Sequence, residues 1–430
     1  MKKIFKYAML FVAALSMSMG MSSCSDDDDN KIDVAEQNSE IQSLTNKYVN
    51  DVIYPTYSNL ATQTETLYTQ ISALKTKLKA GTTVKQSEID AICSTYKVAR
   101  DYWEKSEAYL YGAASDFEID PHIDTWPLDV PTLAKDLQDD AKIAKLDASD
   151  GIEYARTYLT PENLGFHGIE FIFFRDGKNR DVAIFNNDAT EDDANFSGMN
   201  VTGKEEVIFA TAVAGDLRDK CYQLEVSWLG SSANASHIAR VAECAKTSDD
   251  FSTTVAKTGS SYGEYVLASG TTSGMGATWK KMVEIMLIDG CSNICAEVAD
   301  QKMGQAYRCA TGSAEDEDDP NYIESPYSHN SFTDFKGNIL SIKYSLYGQV
   351  NDGSSYASNS LMAYLTKYNS DMASLLNTKL NAALTALDAC QNSGKAFVEA
   401  PGATCVGTAI SAIGELDDAL TQASNWILQN

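Results

Sequence analysis

His167-Gly168-Ile169-Glu170 sets an imidazole and a carboxylate three residues apart, which on a helix is one face and within reach of a single ion. That donor pair suits iron, zinc or manganese. The same spacing also serves a local hydrogen bond or ion pair. Phe166, Ile169, Phe171, Ile172, Phe173 and Phe174 crowd the two polar side chains, so the pair is expected in the interior, where a carboxylate needs a charged partner. Gly165 and Gly168 let another backbone come close. The chain has 4 histidines. His122 falls in a proline-rich connection, His329 far downstream, and His237 on a stretch expected at the surface with no part in chemistry, so a third imidazole ligand lacks support. Glu107 shares a helical phase with Trp103 and Leu110 and is a better completing ligand, with an ion-pair role as the alternative. Arg100 is placed to neutralise one such carboxylate, and Trp126 reads as a core anchor.

Two ligand candidates fall short of a zinc peptidase, which normally needs three protein ligands and a general base. The motif is neither His-Glu-x-x-His nor its inverse. No phosphate loop, nucleotide fingerprint or Ser-His-Asp order is present, and no catalytic residue is assigned.

The elements that must carry these residues read as helices. Val49, Val52, Ile53, Leu60, Leu67, Ile71, Leu74 and Leu78 advance by threes and fours or their sums, one face of a helix, with a kink expected at Pro55. A second helix is predicted from about Ser87 to Tyr111, ended by Gly112. Pro121, Pro127 and Pro131 make 116–131 an irregular connection. Shorter helices follow near 150–159 and 164–174. The polar stretch 176–203 is the candidate boundary between two halves, 35–200 and 201–430. In the second half long helices are predicted over 205–243 and 278–307, with apolar stripes from Leu361 to Leu380 and from Val406 to Ile427. No run alternates β-branched residues, so the fold class is all-α, with two helical-bundle halves joined by long irregular connections.

Composition narrows the partners. With 60 acidic and 34 basic side chains the formal charge is -26, which disfavours nucleic acid and favours cations. The acidic run 315–319 could hold calcium but lacks EF-hand spacing, and a solvated loop is the simpler reading. Lys2, Lys3 and Lys6 precede an apolar stretch too short to span a bilayer, and the small residues before Cys24 complete a secretory signal over 1–23. It resembles a lipoprotein signal, which implies lipid on Cys24 and attachment to the outer membrane. The acidic tether 24–34 resembles an export signal of surface lipoproteins. Surface display is therefore expected, with a periplasmic location as the alternative. An exported chain permits disulfides. Cys390 and Cys405, flanking an interhelical loop, are the best local pair, whereas Cys291 and Cys295, one turn apart, read as core cysteines.

The segment Leu164 to Phe171 resembles the Gly-x-His-x-x-Glu motif of the imelysin family of bacterial envelope proteins. Tyr48 to Leu60, Arg100 to Gly112, Asp120 to Asp129, Glu297 to Tyr307 and Glu324 to Gly348 are similar to further segments of that family, in the same order. The resemblance implies an all-helical fold of two bundle-like halves with a cleft between them and a role in iron uptake. The ligand would then be a metal ion, iron with zinc as alternative, or a metal chelate, and an envelope transport partner is a further expectation. Asp120, Asp129 and Glu324, in matched segments, become candidates to complete the site beside His167, Glu170 and Glu107, with capping or ion pairing as the alternative role of each. The family also carries a metallopeptidase label. A metal-dependent peptidase is thus the second reading, and a surface module binding a peptide or glycan, with His167 and Glu170 purely structural, is the third.

Overall fold

The structure is a computed structural model that describes residues 34–187 and 189–430. The signal segment, Cys24 and all of the tether but Val34 lie outside the described residues. Among those described, the named strands form a single two-residue pair, Phe174–Arg175 against Lys178–Asn179, antiparallel, directly after the His167 helix. The rest is helix and connection, so the architecture is all-α.

Val34–Tyr48 runs through a π-helical turn, Val49–Ile53, into Tyr54–Lys79. Pro55 has no N–H and its ring crowds the carbonyl four residues back; the widened turn before it absorbs both demands where a kink was expected. The predicted stripe from Val49 to Leu78 is buried. Gln86–Glu104 buries Ile89, Ile92, Tyr96, Ala99 and Trp103. It stops seven residues before the predicted end, and Glu107–Tyr109 is a separate 3-10 turn leading to Gly112 at φ 91°. Glu107 therefore faces inward from a turn, not from the helix.

The predicted 205–243 element is two helices. Gly203–Leu229 starts on a capping box of Thr202 and Glu205 and ends at Gly230, whose φ of 57° redirects the chain; Asn234 then caps Ala235–Cys244. The 278–307 element is continuous but interrupted by π-helical stretches at Ile285–Ser292 and Glu297–Lys302. The Leu361 stripe breaks at Asn369, whose side chain caps Ser370–Gln391, and Thr404–Gln429 closes the chain. The acidic run 315–319 is largely exposed, with Asp318 forked onto Arg308 at 2.7 and 2.8 Å.

Packing sorts the helices into two groups. Tyr54–Lys79 lies between Gln86–Glu104 and Gly203–Leu229, and Gly165–Phe173 packs on the latter; Ser370–Gln391 packs on Ser331–Tyr347 and on Thr404–Gln429. Ser370–Gln391 and Thr404–Gln429 run antiparallel, because Lys379 meets Glu415 while Cys390 meets Cys405. One hydrophobic cluster passes through both groups, from Leu60, Trp103 and Phe166 to Phe335, Leu387 and Ile413. The groups touch where Ser331–Tyr347 lies on Gln86–Glu104. Cys291 and Cys295 are buried, and Cys390 and Cys405 are neighbouring free thiols.

Candidate metal centre between the helix groups

Every residue of Gly165–Phe173 is buried. Its first turn is seated by glycine: Gly165 has φ 61°, and a Cβ there would lie 1.9 Å from the Ile123 carbonyl oxygen; a Cβ on Gly168 would lie 2.3 Å from that of Asn163. Without a Cβ at Gly165 the start of the helix presses onto the end of Ile119–Ile123, and Asp124, the next residue, meets the imidazole. His167 Nε2 is 3.0 Å from Asp124 Oδ1, and Nδ1 is 3.5 Å from Glu170 Oε2. Glu170 turns away on its other oxygen, which accepts from the Ser328 amide at 2.8 Å and hydroxyl at 2.6 Å.

Arg100, fully buried on Gln86–Glu104, is the hub. Its guanidinium donates to Asp124, lies 2.6 Å from Glu104 and 2.5 Å from Glu324, and has Asp334 at 3.6 Å. Lys302 approaches from the other helix group, 3.2 Å from Glu324 and 3.9 Å from Glu107. Indole groups complete the frame, Trp103 donating to Asp124 at 2.7 Å and Trp126 to Glu324 at 3.1 Å. Trp126 is a partly buried wall of this site, its ring against Tyr322, and not the core anchor expected of it.

The protonation pattern follows from crowding. Burial would lower the His167 pKa, but hydrogen bonds to Asp124 and Glu170 outweigh it and hold the imidazolium to about 9. Burial also opposes ionisation of Asp124, yet Arg100 and His167 pull its pKa well below the usual carboxylate range. Desolvation pushes Asp120 and Asp334 up to about 7, with Glu297 and Glu324 respectively among the like charges that add to it. It raises Glu104, Glu107 and Glu297 as well. Carboxylates outnumber cations here, and burial charges a cost for each one ionised.

Two sets of donors converge. Asp124, His167 and Glu324 each offer a ligand atom, all within 4.8 Å of one another, and Glu104, Glu107 and Asp124 do the same. The first set supplies one imidazole nitrogen and two carboxylate oxygens, a mixture that suits iron, zinc or manganese. Glu324 Oε2 is buried with no hydrogen-bond partner, a free acceptor of the kind an ion would use. Of the predicted ligands, His167 and Glu324 thus come together and Glu107 joins the second set. Glu170 sits behind the imidazole as its partner. Asp120 acts on the cluster through its charge, and Asp129 instead caps Val130–Gln138, accepting from the Thr132 amide at 3.0 Å.

The other histidines lie elsewhere. His122 is 2.6 Å from Asp216, and His329 packs against Gly177. His237 is buried, stacked on Tyr222 and bonded to Glu225, which corrects its expected surface position. Asp124, Glu104, Lys302 and Asp334 were missed. Asp124 had a readable signal, since it follows the candidate Asp120 by one helical turn. Glu104 had the same signal, lying one helical turn after Arg100, whereas Lys302 and Asp334 are joined to the site only by tertiary packing.

The imelysin family model, also called peptidase M75, matches residues 53–420. The chain is similar to iron-regulated protein A of Synechococcus elongatus, at 24% identity over 374 residues, 87% of this chain and 83% of that protein. Among crystal structures it shares the fold of one described as an iron-regulated protein A precursor from Parabacteroides distasonis, with TM-score 0.67 and 23% identity over 93% of this chain and 97% of that one. An imelysin-like protein from Psychrobacter arcticum has TM-score 0.52 and 14% identity, covering 91% and 93% of the two chains. With the family's model matched across nearly the whole described chain, this protein belongs to the imelysin family.

Proposed function

We propose that this protein is a lipid-anchored envelope protein that captures a metal ion or a metal-carrying ligand between its two helix groups, in service of iron uptake. The observation that carries the reading is the convergence of Asp124, His167 and Glu324 in a buried network richer in carboxylates than in cations. A cation there relieves repulsion that otherwise keeps several carboxyls protonated. Iron is preferred because relatives are named for their regulation by it; zinc is the alternative the donor set accepts. His167 must bind as the neutral imidazole, so loading releases its proton and affinity rises with pH up to about 9.

Titration calorimetry with ferrous iron and with zinc tests this. His167→Ala and Glu324→Gln should each weaken binding at least about tenfold, judged from the 10- to 100-fold losses caused by removing groups that merely orient ligands. Variants that bind as wild type would move the ion elsewhere.

Burial bears on the peptidase reading. His167 is 1% exposed and Glu170 and Glu324 are 0%, which admits an ion more readily than a polypeptide. The metal-loaded protein should therefore leave unfolded casein intact; cleavage that His167→Ala abolishes in a folded variant would install a peptidase instead. For the anchor, Cys24→Ala should shift the protein from membrane to soluble fractions. Protease shaving of intact cells should degrade the wild type if it is displayed outside, and spare it if it faces the periplasm.

A further inference from the structure

A second cluster lies along Gly203–Leu229, around Asp216 and Asp219. Asp219, fully buried on that helix, is gripped by three arginines: Arg156 at 2.9 Å, Arg218 at 2.6 Å and Arg240 at 2.6 Å. Each uses Nη2 on Asp219; Arg218 and Arg240 add Nε there, and Arg156 turns its Nε onto Asp216 at 2.7 Å. Among the described residues the Nη1 group of each guanidinium has no hydrogen-bond partner, and all three arginines line one opening of about 610 Å³.

Charge is layered across that opening. Arg156, Arg218 and Arg240 share the buried carboxylates Asp216 and Asp219 at depth, and Asp216 is further shared with His122. The other acids of the opening, Glu65, Asp150, Glu153 and Glu243, are exposed at its rim. Tyr68 stacks on Arg218 at 4.1 Å and holds its plane. In a chain of formal charge -26, three forked cations thus meet two buried carboxylates on this pocket floor, an excess of one positive charge. Guanidinium forks match the oxygen spacing of carboxylates and phosphates.

We propose that this pocket binds a small oxyanion, carboxylate or phosphate, on the Nη1 donors of Arg156, Arg218 and Arg240. The site is separate from the metal centre, and its ligand need carry no metal. The rim acids favour a ligand whose outward end is cationic or neutral, so a compact anion enters in preference to a polyanion.

Calorimetric titration of the lipid-free chain with inorganic phosphate and, separately, with β-alanine, whose outward end is an ammonium, at low ionic strength reads this directly. At least one probe should bind saturably, and the probe that binds names the source. Arg240→Gln and Arg218→Gln should each weaken it about ten- to hundredfold, the range for losing a charged hydrogen-bond donor. Arg240 is the safer variant, because its side chain is 35% exposed. Arg240→Lys should rescue little, since a point charge lacks the fork. His167→Ala should leave the affinity unchanged, which separates this site from the metal centre. Absence of saturable binding by both probes, or unaltered affinity in folded Arg218→Gln and Arg240→Gln, would reduce the cluster to a brace for Asp219 and overturn the proposal.

Discussion

Replacing His167 by Gln keeps a polar side chain between Asp124 and Glu170 but removes the proton the imidazole takes up. In the folded protein that proton is held to about 9, against an ordinary value of 6.5. A basic group whose pKa is raised by folding contributes its full stability below the unfolded value and loses it as pH rises through the folded one. The window for His167 is therefore about 6.5 to 9, and the gap corresponds to on the order of 3 kcal/mol. Asp120 and Asp334, held up at about 7 from an ordinary 3.8, lose their own contribution as pH rises between those values. Wild type and variant share that loss, so their difference isolates the imidazole. The assay is urea unfolding of chelator-treated protein across this range. Wild type should lose about 3 kcal/mol more than His167→Gln between pH 6.5 and 9. Parallel profiles would mean that the His167 proton is not held by Asp124 and Glu170, and the reasoning would fail.

Arg100→Met leaves Glu104, Asp124 and Glu324 facing one another without their shared cation, and should cost about 3–5 kcal/mol by thermal or urea unfolding, with part of the loss recovered on acidification. Gly165→Ala adds both a strained φ and a collision with the Ile123 carbonyl; it should cost at least about 2 kcal/mol and weaken metal binding, because the collision displaces the His167 turn. Gly198→Ala supplies the control, since that glycine also has positive φ (79°) but open space where the Cβ would go. It should lower the melting temperature less and leave metal affinity alone.

Local pattern carried much of the fold and part of the site. Apolar stripes located the Tyr54–Lys79, Gln86–Glu104 and Thr404–Gln429 helices because their buried faces repeat along the chain. Breaks were harder to read. Gly230 and Asn369 interrupt stripes that continue past them, and only the backbone conformation at Gly230 and the cap at Asn369 show that the chain turns. Arg100 was expected to neutralise one carboxylate and contacts four, since the others arrive from the Ile119–Ile123 turn, the 324–328 segment and the Ser331–Tyr347 helix. Distant partners leave no periodic trace, which is why Lys302 and Asp334 stayed hidden. His237 was misplaced for a different reason. Its helix buries Val241 and Cys244 on the same face, a short stripe that was legible and outweighed by the polarity of its neighbours.

An ion held by Asp124, His167 and Glu324 can be seen by anomalous scattering from crystals soaked separately in ferrous and zinc salts. A peak within bonding distance of His167 Nε2 and a carboxylate oxygen of each of Asp124 and Glu324, absent from His167→Ala crystals, is the predicted result. Soaked crystals with no peak there, or with a peak that His167→Ala leaves in place, would contradict it.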